Sequence, residues 1–491
     1  MQQLTGLDNS FLVMEAGGQL GHVGSLSLFD TSGLGSRSFA QAVRETLEQR
    51  LHLLAPYRRR LVEVPLGLDR PYWIEDPNFD MDFHMRHIAV PPPGDDLQLS
   101  ELISRVHARP LDRARPLWEI YVIEGLANDR VALYTKIHHC TIDGVSGSQM
   151  TEILMDRNPA GDEIDAPRRR WRPDPIPGTG EMLARGTVGA ATQPGQIARA
   201  MLHTAQEVWE SSEMLGSLAR STGLDKLPLI GDRLGGSDQQ DADRIPQTPA
   251  PQTSWNKSIT PHRRFSFFSH PLASYKNIKT AFGTTLNDVV MAVTGSALRR
   301  YLEEQGELPK DPLIAMVPVS LRTEAQKNEF TNRVTMVLSE LATELEDPVA
   351  RLRRVHTAMK SAKRMHEATP ASILQDWTEV AMPALLAQAA RIAARTKVFD
   401  RMNPPFNVIV SNVPGPREAL FCGGAEMSTY FPVSAIAEGQ GLNVTVISYR
   451  DHLDWGLIAC RELVPDVWRL KDFFGEALGE LEKAAERESI S

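Results

Sequence analysis

His138, His139 and Asp143, with Gly144 beside the last, are the residues of this chain whose types and spacing fit acid–base chemistry. They lie in the stretch VALYTKIHHCTIDGVSG, residues 131–147. An unperturbed imidazole titrates near neutrality, so a histidine facing a channel is equipped to act as a general base. The second histidine can be held inside the domain, while the Asp143 carboxylate ties the loop down through an ionic or hydrogen-bonded partner. Gly144 permits the sharp backbone turn that follows. Two rival chemistries would use the same stretch. A metal centre fails on geometry, because adjacent strand residues point to opposite faces and no third ligand at metal spacing is visible. Cys140 as a nucleophile fails for the same reason of direction, and a small buried thiol is its reading.

The elements that must position these groups follow from periodicity. Residues 131–139 alternate with a period of two, which predicts a strand with two different faces, the histidines at its end. Met150, Ile153 and Leu154 then recur at helical spacing. Residues 118–126 form a second strand-like run, and the turn formers at 127–130 join the two into a hairpin. Pro116, Leu117 and Trp118 are then scaffold. Upstream, the pattern predicts strands over 22–29, 73–75 and 83–88, with helices over 39–54 and 97–108. Arg58, Arg59 and Arg60 read as a solvated basic face.

Downstream, the composition shifts. Residues 159–258 carry the cluster RRRWR (168–172), two Pro/Gly or polar stretches and a helical segment to about 223, and read as a helix-bearing linker, its basic cluster either solvated, the favoured reading, or set against an anionic membrane surface. It separates a first domain, residues 1–158, from a second, residues 259–491. In the second, residues 264–270 and 313–320 read as strands and 272–281 as a short helix. Residues 285–302 read as a longer one with Asn287 and Asp288 in its first turn. Asp288 there is a helix-capping group. Asp347-Pro348 opens a helix to about 366. A strand over 406–410 leads to a loop holding Ser411 and Asn412. A hairpin pairs 442–449 with 455–460, and a closing amphipathic helix covers 467–486.

Composition bounds the function. With 491 residues, two domains are expected. With 42% hydrophobic and 23% charged residues the chain reads as globular, and a net charge of −9 argues against a general nucleic-acid binder. The three cysteines, Cys140, Cys422 and Cys460, are far apart and fit a reducing compartment with no disulfide framework. The N-terminal 29 residues lack a signal-peptide pattern, and no spanning helix of about 20 apolar residues is present. The nearest candidate, residues 370–394, reads as core-packed or interfacial. A cytoplasmic protein with at most peripheral contact to a membrane or lipid droplet is the expectation.

Further blocks carry a resemblance. HARPLDRARPLWEIYVIEGL (107–126) and FDMDFHMRHI (79–88) precede the histidines. LNDVVMAVTGSALRRYL (286–302), MVPVSLR (316–322) and FNVIVSNVPGP (406–416) follow them. With HHxxxDG, their order resembles the bacterial wax ester synthase/diacylglycerol acyltransferase family, within the chloramphenicol-acetyltransferase-like superfamily. The resemblance implies an α/β (α+β) fold of two sandwich domains with mixed sheets and an active-site tunnel at their interface. It implies transfer of a long-chain acyl group from acyl-CoA to diacylglycerol or a long-chain fatty alcohol; the alternatives are a condensation-type acyltransferase with a carrier-protein-bound donor and a non-catalytic lipid-binding homologue. No cofactor and no acyl-enzyme are needed. His139 would be the base, His138 structural and Asp143 orienting. Asn287 would support the site, with Ser411 and Asn412 beside the acyl channel, and Asn287 and Ser411 as candidate oxyanion donors. Arg322 would pair with Asp143 across the interface.

Overall fold

The computed structural model describes residues 1–15, 18–142, 144–167, 171–189, 191, 250–320, 334–367 and 396–490. In chain order the strands are β1 (Gln2–Gln3), β2 (His22–Asp30), β3 (Arg59–Val62), β4 (Tyr72–Glu75), β5 (Met85–Ala89), β6 (Trp118–Glu124) and β7 (Val131–His138). They continue as β8 (Arg263–Pro271), β9 (Ile314–Ser320), β10 (Val334–Glu340), β11 (Val408–Val413), β12 (Phe421–Cys422), β13 (Ala425–Val433), β14 (Leu442–Tyr449) and β15 (His452–Cys460). The helices are α1 (Gly6–Val13), α2 (Phe39–Arg50), α3 (Met81–His84), α4 (Asp96–His107) and α5 (Gly144–Leu154), then α6 (Leu272–Ala281), α7 (Leu286–Glu304), α8 (Pro348–Glu367) and α9 (Val467–Ile490).

Two six-stranded sheets organise the molecule. The first runs β12-β13-β2-β7-β6-β5 and the second β10-β9-β11-β14-β15-β8. Both are mixed. In the first, only β5 and β6 are parallel, and α4 lies on the crossover between them, as a parallel connection requires. In the second, β11 runs parallel to both β9 and β14. The sheets interlock, because β12 and β13 leave the second half of the chain to complete the first sheet. Strand β13 pairs antiparallel with β2, with a bulge between Met427 and Thr429.

Local chemistry starts the helices as expected. Ser38 caps α2 through the Gln41 amide. Asp95 with Gln98, and Thr285 with Asp288, form reciprocal capping boxes on α4 and α7. Each such cap stabilises by roughly 1 kcal/mol. The Asp347 side chain accepts from the Ala350 amide at the start of α8.

Several expectations need correction. Strand β5 begins at Met85, because Asp80 caps the short helix α3 in front of it. Ser411 and Asn412 are strand residues, not loop residues: β11 continues past them in parallel register with Thr445 and Val446. The last hairpin is tighter than predicted, since Arg450 takes a positive φ and pairing resumes at His452. Arg58 and Arg59 pair with Glu75, and Arg60 lies 3.9 Å from Asp76, so this run is an ion-paired layer against β4. Trp171 is docked, not solvated. Its indole N–H donates to Glu75 at 2.9 Å and its ring meets Phe79 edge-on. The expected helical segment begins as a helix over residues 179–189, while its remainder to about 223, the rest of the basic cluster and residues 370–394 lie outside the described residues. No helix among the described residues is long and apolar enough to cross a membrane.

Candidate active site

Strand β7 is central in its sheet, between β2 and β6, and both of its faces are covered. Leu133 and Ile137 join one apolar cluster, Ala132 and Tyr134 another. The polar members of the alternation are therefore buried with partners. Lys136 is 1% exposed, its ammonium 3.1 Å from Glu119 and donating to the carbonyls of Val106 and Arg109. Such burial demands this pairing. The hairpin with β6 and the scaffold role of Trp118 are both observed. The indole donates to the Tyr57 carbonyl at 2.9 Å, and the Leu117 carbonyl receives the His138 amide.

The last pair of the β2–β7 ladder is His22 with His138. The chain then turns: the His139 amide donates to the Gly21 carbonyl at 2.8 Å and the Thr141 amide to the His138 carbonyl. The two histidines meet different surroundings. The His139 ring stacks on Phe11 of α1, centroids 4.1 Å apart and planes at 14°.

His138 is buried. Its Nδ1 accepts from the Cys140 amide at 3.1 Å, so this nitrogen carries no proton. The proton sits on Nε2, which donates to Glu15 at 3.2 Å. Glu15 also accepts from the Gly21 amide at 2.7 Å and from Arg113 at 2.6 Å. Burial works to raise the Glu15 carboxyl. His138, Arg113 and the Gly21 amide outweigh it and hold the group at about 2. Gly21 must be glycine: a Cβ there would lie 2.6 Å from His138 Nε2 and 2.9 Å from the Phe11 carbonyl. Cys140 is buried, and burial pushes its thiol far above the usual range, opposed by Thr141. That is the environment of an inert thiol.

Asp143 and Arg322 lie outside the described residues. Gly144 is the first residue of α5. In the second half, Asn287 sits in the first turn of α7, and the Asn412 amide donates to its Oδ1 at 3.4 Å. Asp288 is the capping group expected, and its carboxylate also holds His356 of α8 at 2.6 Å. Val413, next to Asn412, packs against the cluster that contains Ile137, Ile142 and Met150. The end of β11 is thus tied to the segment that follows the histidines. Ser411 is half-buried on the same strand.

Glu15, Phe11, Gly21 and Arg113 have no counterpart among the residues singled out from sequence. Glu15 and His138 are 123 positions apart. The one local sign is a lone carboxylate at the end of a short apolar helix.

Two mixed-sheet domains with a paired-histidine strand end form a condensation-domain-like fold, and the comparisons give its family. Residues 4–290 match the wax ester synthase/diacylglycerol acyltransferase catalytic domain, and residues 330–482 match the C-terminal domain of the same enzymes. The chain belongs to the wax ester synthase/diacylglycerol acyltransferase family. A protein of Mycobacterium tuberculosis (strain CDC 1551 / Oshkosh) bearing a provisional diacylglycerol O-acyltransferase name is 33% identical, over 98% of this chain and 90% of its own length. A second from that strain is 36% identical, over 97% and 99%. The solved wax ester synthase/diacylglycerol acyltransferase of Marinobacter aquaeolei VT8 superposes with a TM-score of 0.68 at 30% identity, covering 99% of this chain and 100% of that one. The first condensation domain of the CDA synthetase shares the fold, with a TM-score of 0.55 at 17% identity, over 99% and 97%.

Proposed function

We propose that this acyltransferase moves a long-chain acyl group from acyl-CoA to the hydroxyl of diacylglycerol, of a long-chain fatty alcohol, or of both. The observation that carries the reading is the contrast at the end of β7. His138 is fixed by Cys140 and Glu15, while His139 stands beyond the ladder against an aromatic ring. In this reading His139 takes the hydroxyl proton as the oxygen attacks the thioester carbonyl. The tetrahedral oxyanion collapses to the ester, the C–S bond breaks, and the departing thiolate takes the proton back from the imidazolium. Holding both substrates in register removes much of the bimolecular entropy, with effective molarities on the order of 10⁵ M or more.

No acyl-enzyme enters the scheme, and the buried Cys140 thiol supports that choice. Asn287 and Ser411 are the candidate oxyanion donors. With its carbonyl taken up by Asn412, Asn287 has an NH₂ to offer a developing negative charge. Asp143 orients the loop, with Arg322 as its partner. Any contact with a membrane or lipid droplet is peripheral.

The test supplies labelled palmitoyl-CoA with dioleoylglycerol or hexadecanol and separates the lipid products. Labelled triacylglycerol or wax ester supports the reading, and the ratio ranks the acceptors. A protein that labels neither, but acylates an acceptor from a carrier-protein thioester, would replace it with a condensation-type activity.

A further inference from the structure

The structure assigns Glu15 a positioning role: it fixes the His138 ring and the Gly21 backbone, and through them the reacting imidazole of His139. The inference rests on His139 being the base of the proposed reaction. Three tethers converge on this one carboxylate. Oε1 accepts from both the Gly21 amide and His138 Nε2. The Gly21 carbonyl in turn receives the amide of His139 itself. Oε2 takes Arg113, which also donates to the Leu12 carbonyl at the end of α1, the helix whose Phe11 lies on the His139 ring.

Each tether restrains a different freedom. The His138 contact selects the Nε2–H tautomer, leaving Nδ1 to accept the Cys140 amide and so to set the backbone on the far side of His139. The Gly21 contact sets the strand to which His139 is bonded. The Arg113 contact holds the ring stacked on it. The space is too tight for a substitute arrangement, since even a Cβ on Gly21 would collide with the His138 ring. Glu15 touches no reacting atom in this arrangement. It acts through its neighbours, as outer-shell groups do when they orient a ligand or a base.

Two substitutions separate this role from a simple ion pair. Glu15→Gln keeps a carbonyl oxygen for the Gly21 and His138 donors but cannot accept from Arg113. Glu15→Ala loses all three contacts. We expect Glu15→Ala to lower kcat by about 10–100-fold with KM little changed, and Glu15→Gln to restore most of the loss. Melting curves confirm that both variants are folded. In ¹⁵N-histidine NMR spectra, which need no substrate, the Nε2–H tautomer of His138 should persist in wild type and Glu15→Gln and become mixed in Glu15→Ala. Equal losses in the two variants, or an unchanged tautomer in all three proteins, would overturn the role. Should the wild type release no CoA from any donor, the acyl-transfer reading fails, and the tautomer comparison alone decides what Glu15 does.

Discussion

The end of β7 and the end of β11 hold their side chains in opposite ways. At β7, a half-buried carboxylate gathers a backbone amide, a histidine ring and an arginine, and that ring is locked into one tautomer. At β11, Asn412 and Asn287 share a single long hydrogen bond, and their placement comes from a strand and a helix start. A base must keep one orientation through a proton transfer, and a dense network supplies that. A donor to a developing oxyanion needs an amide that can tighten as charge appears, and a loosely held side chain on rigid elements suits that task.

Substitutions at either strand end can undo this contrast. Apart from removal of the His139 imidazole itself, the largest effect is expected at the second site: Asn287→Ala should lower kcat by about 100-fold with unchanged thermal stability, if its amide meets the oxyanion. Steady-state kinetics beside a melting curve would show the split, and a fall in stability with unchanged kcat would make Asn287 a structural residue only. At the first site the balance reverses. Gly21→Ala should cost roughly 2 kcal/mol of stability, because the added Cβ enters the His138 ring and the Phe11 carbonyl. Denaturant unfolding measures it directly.

The tethered site also titrates. The folded Glu15 carboxyl is depressed to about 2 from an ordinary 4.5. Its contribution to stability is therefore complete above pH 4.5 and is lost as pH falls toward 2. Glu15→Gln should flatten that part of the stability profile, and an identical acid profile would mean that the network adds nothing to stability. The smallest effect is at Cys140. Cys140→Ala should keep near-full activity, and iodoacetamide should not inactivate the native enzyme. Rapid inactivation blocked by this substitution would reopen the acyl-cysteine route.

Much of this contrast is legible in the residues themselves. The β6–β7 hairpin, the capping pair Thr285 and Asp288, and the buried Cys140 all follow from local rules, because periodicity and capping chemistry act over a few residues. What escapes such rules is non-local. Nothing near Glu15 points to a histidine 123 positions away. Nothing in residues 421–433 says that they leave their own half to complete the first sheet. The polar alternation along β7 describes two faces but not that Lys136 would be buried against Glu119. Pro414 and Gly415 suggest a turn strongly enough to draw Ser411 and Asn412 into it, whereas parallel pairing with β14 carries the strand three residues further. Arg58 to Arg60 show how a charge run reads as solvated until its acidic partners are placed beside it.

Everything proposed for this molecule turns on His139 doing the chemistry while its neighbour holds the frame. CoA thiol release from palmitoyl-CoA, with and without hexadecanol or dioleoylglycerol, tests that division in wild type and His139→Ala. Release should depend on the acceptor and fall by about 10²–10⁴-fold in the variant, the range expected for losing a general base. Release that survives within tenfold in His139→Ala, or that ignores the acceptor in the wild type, would contradict it.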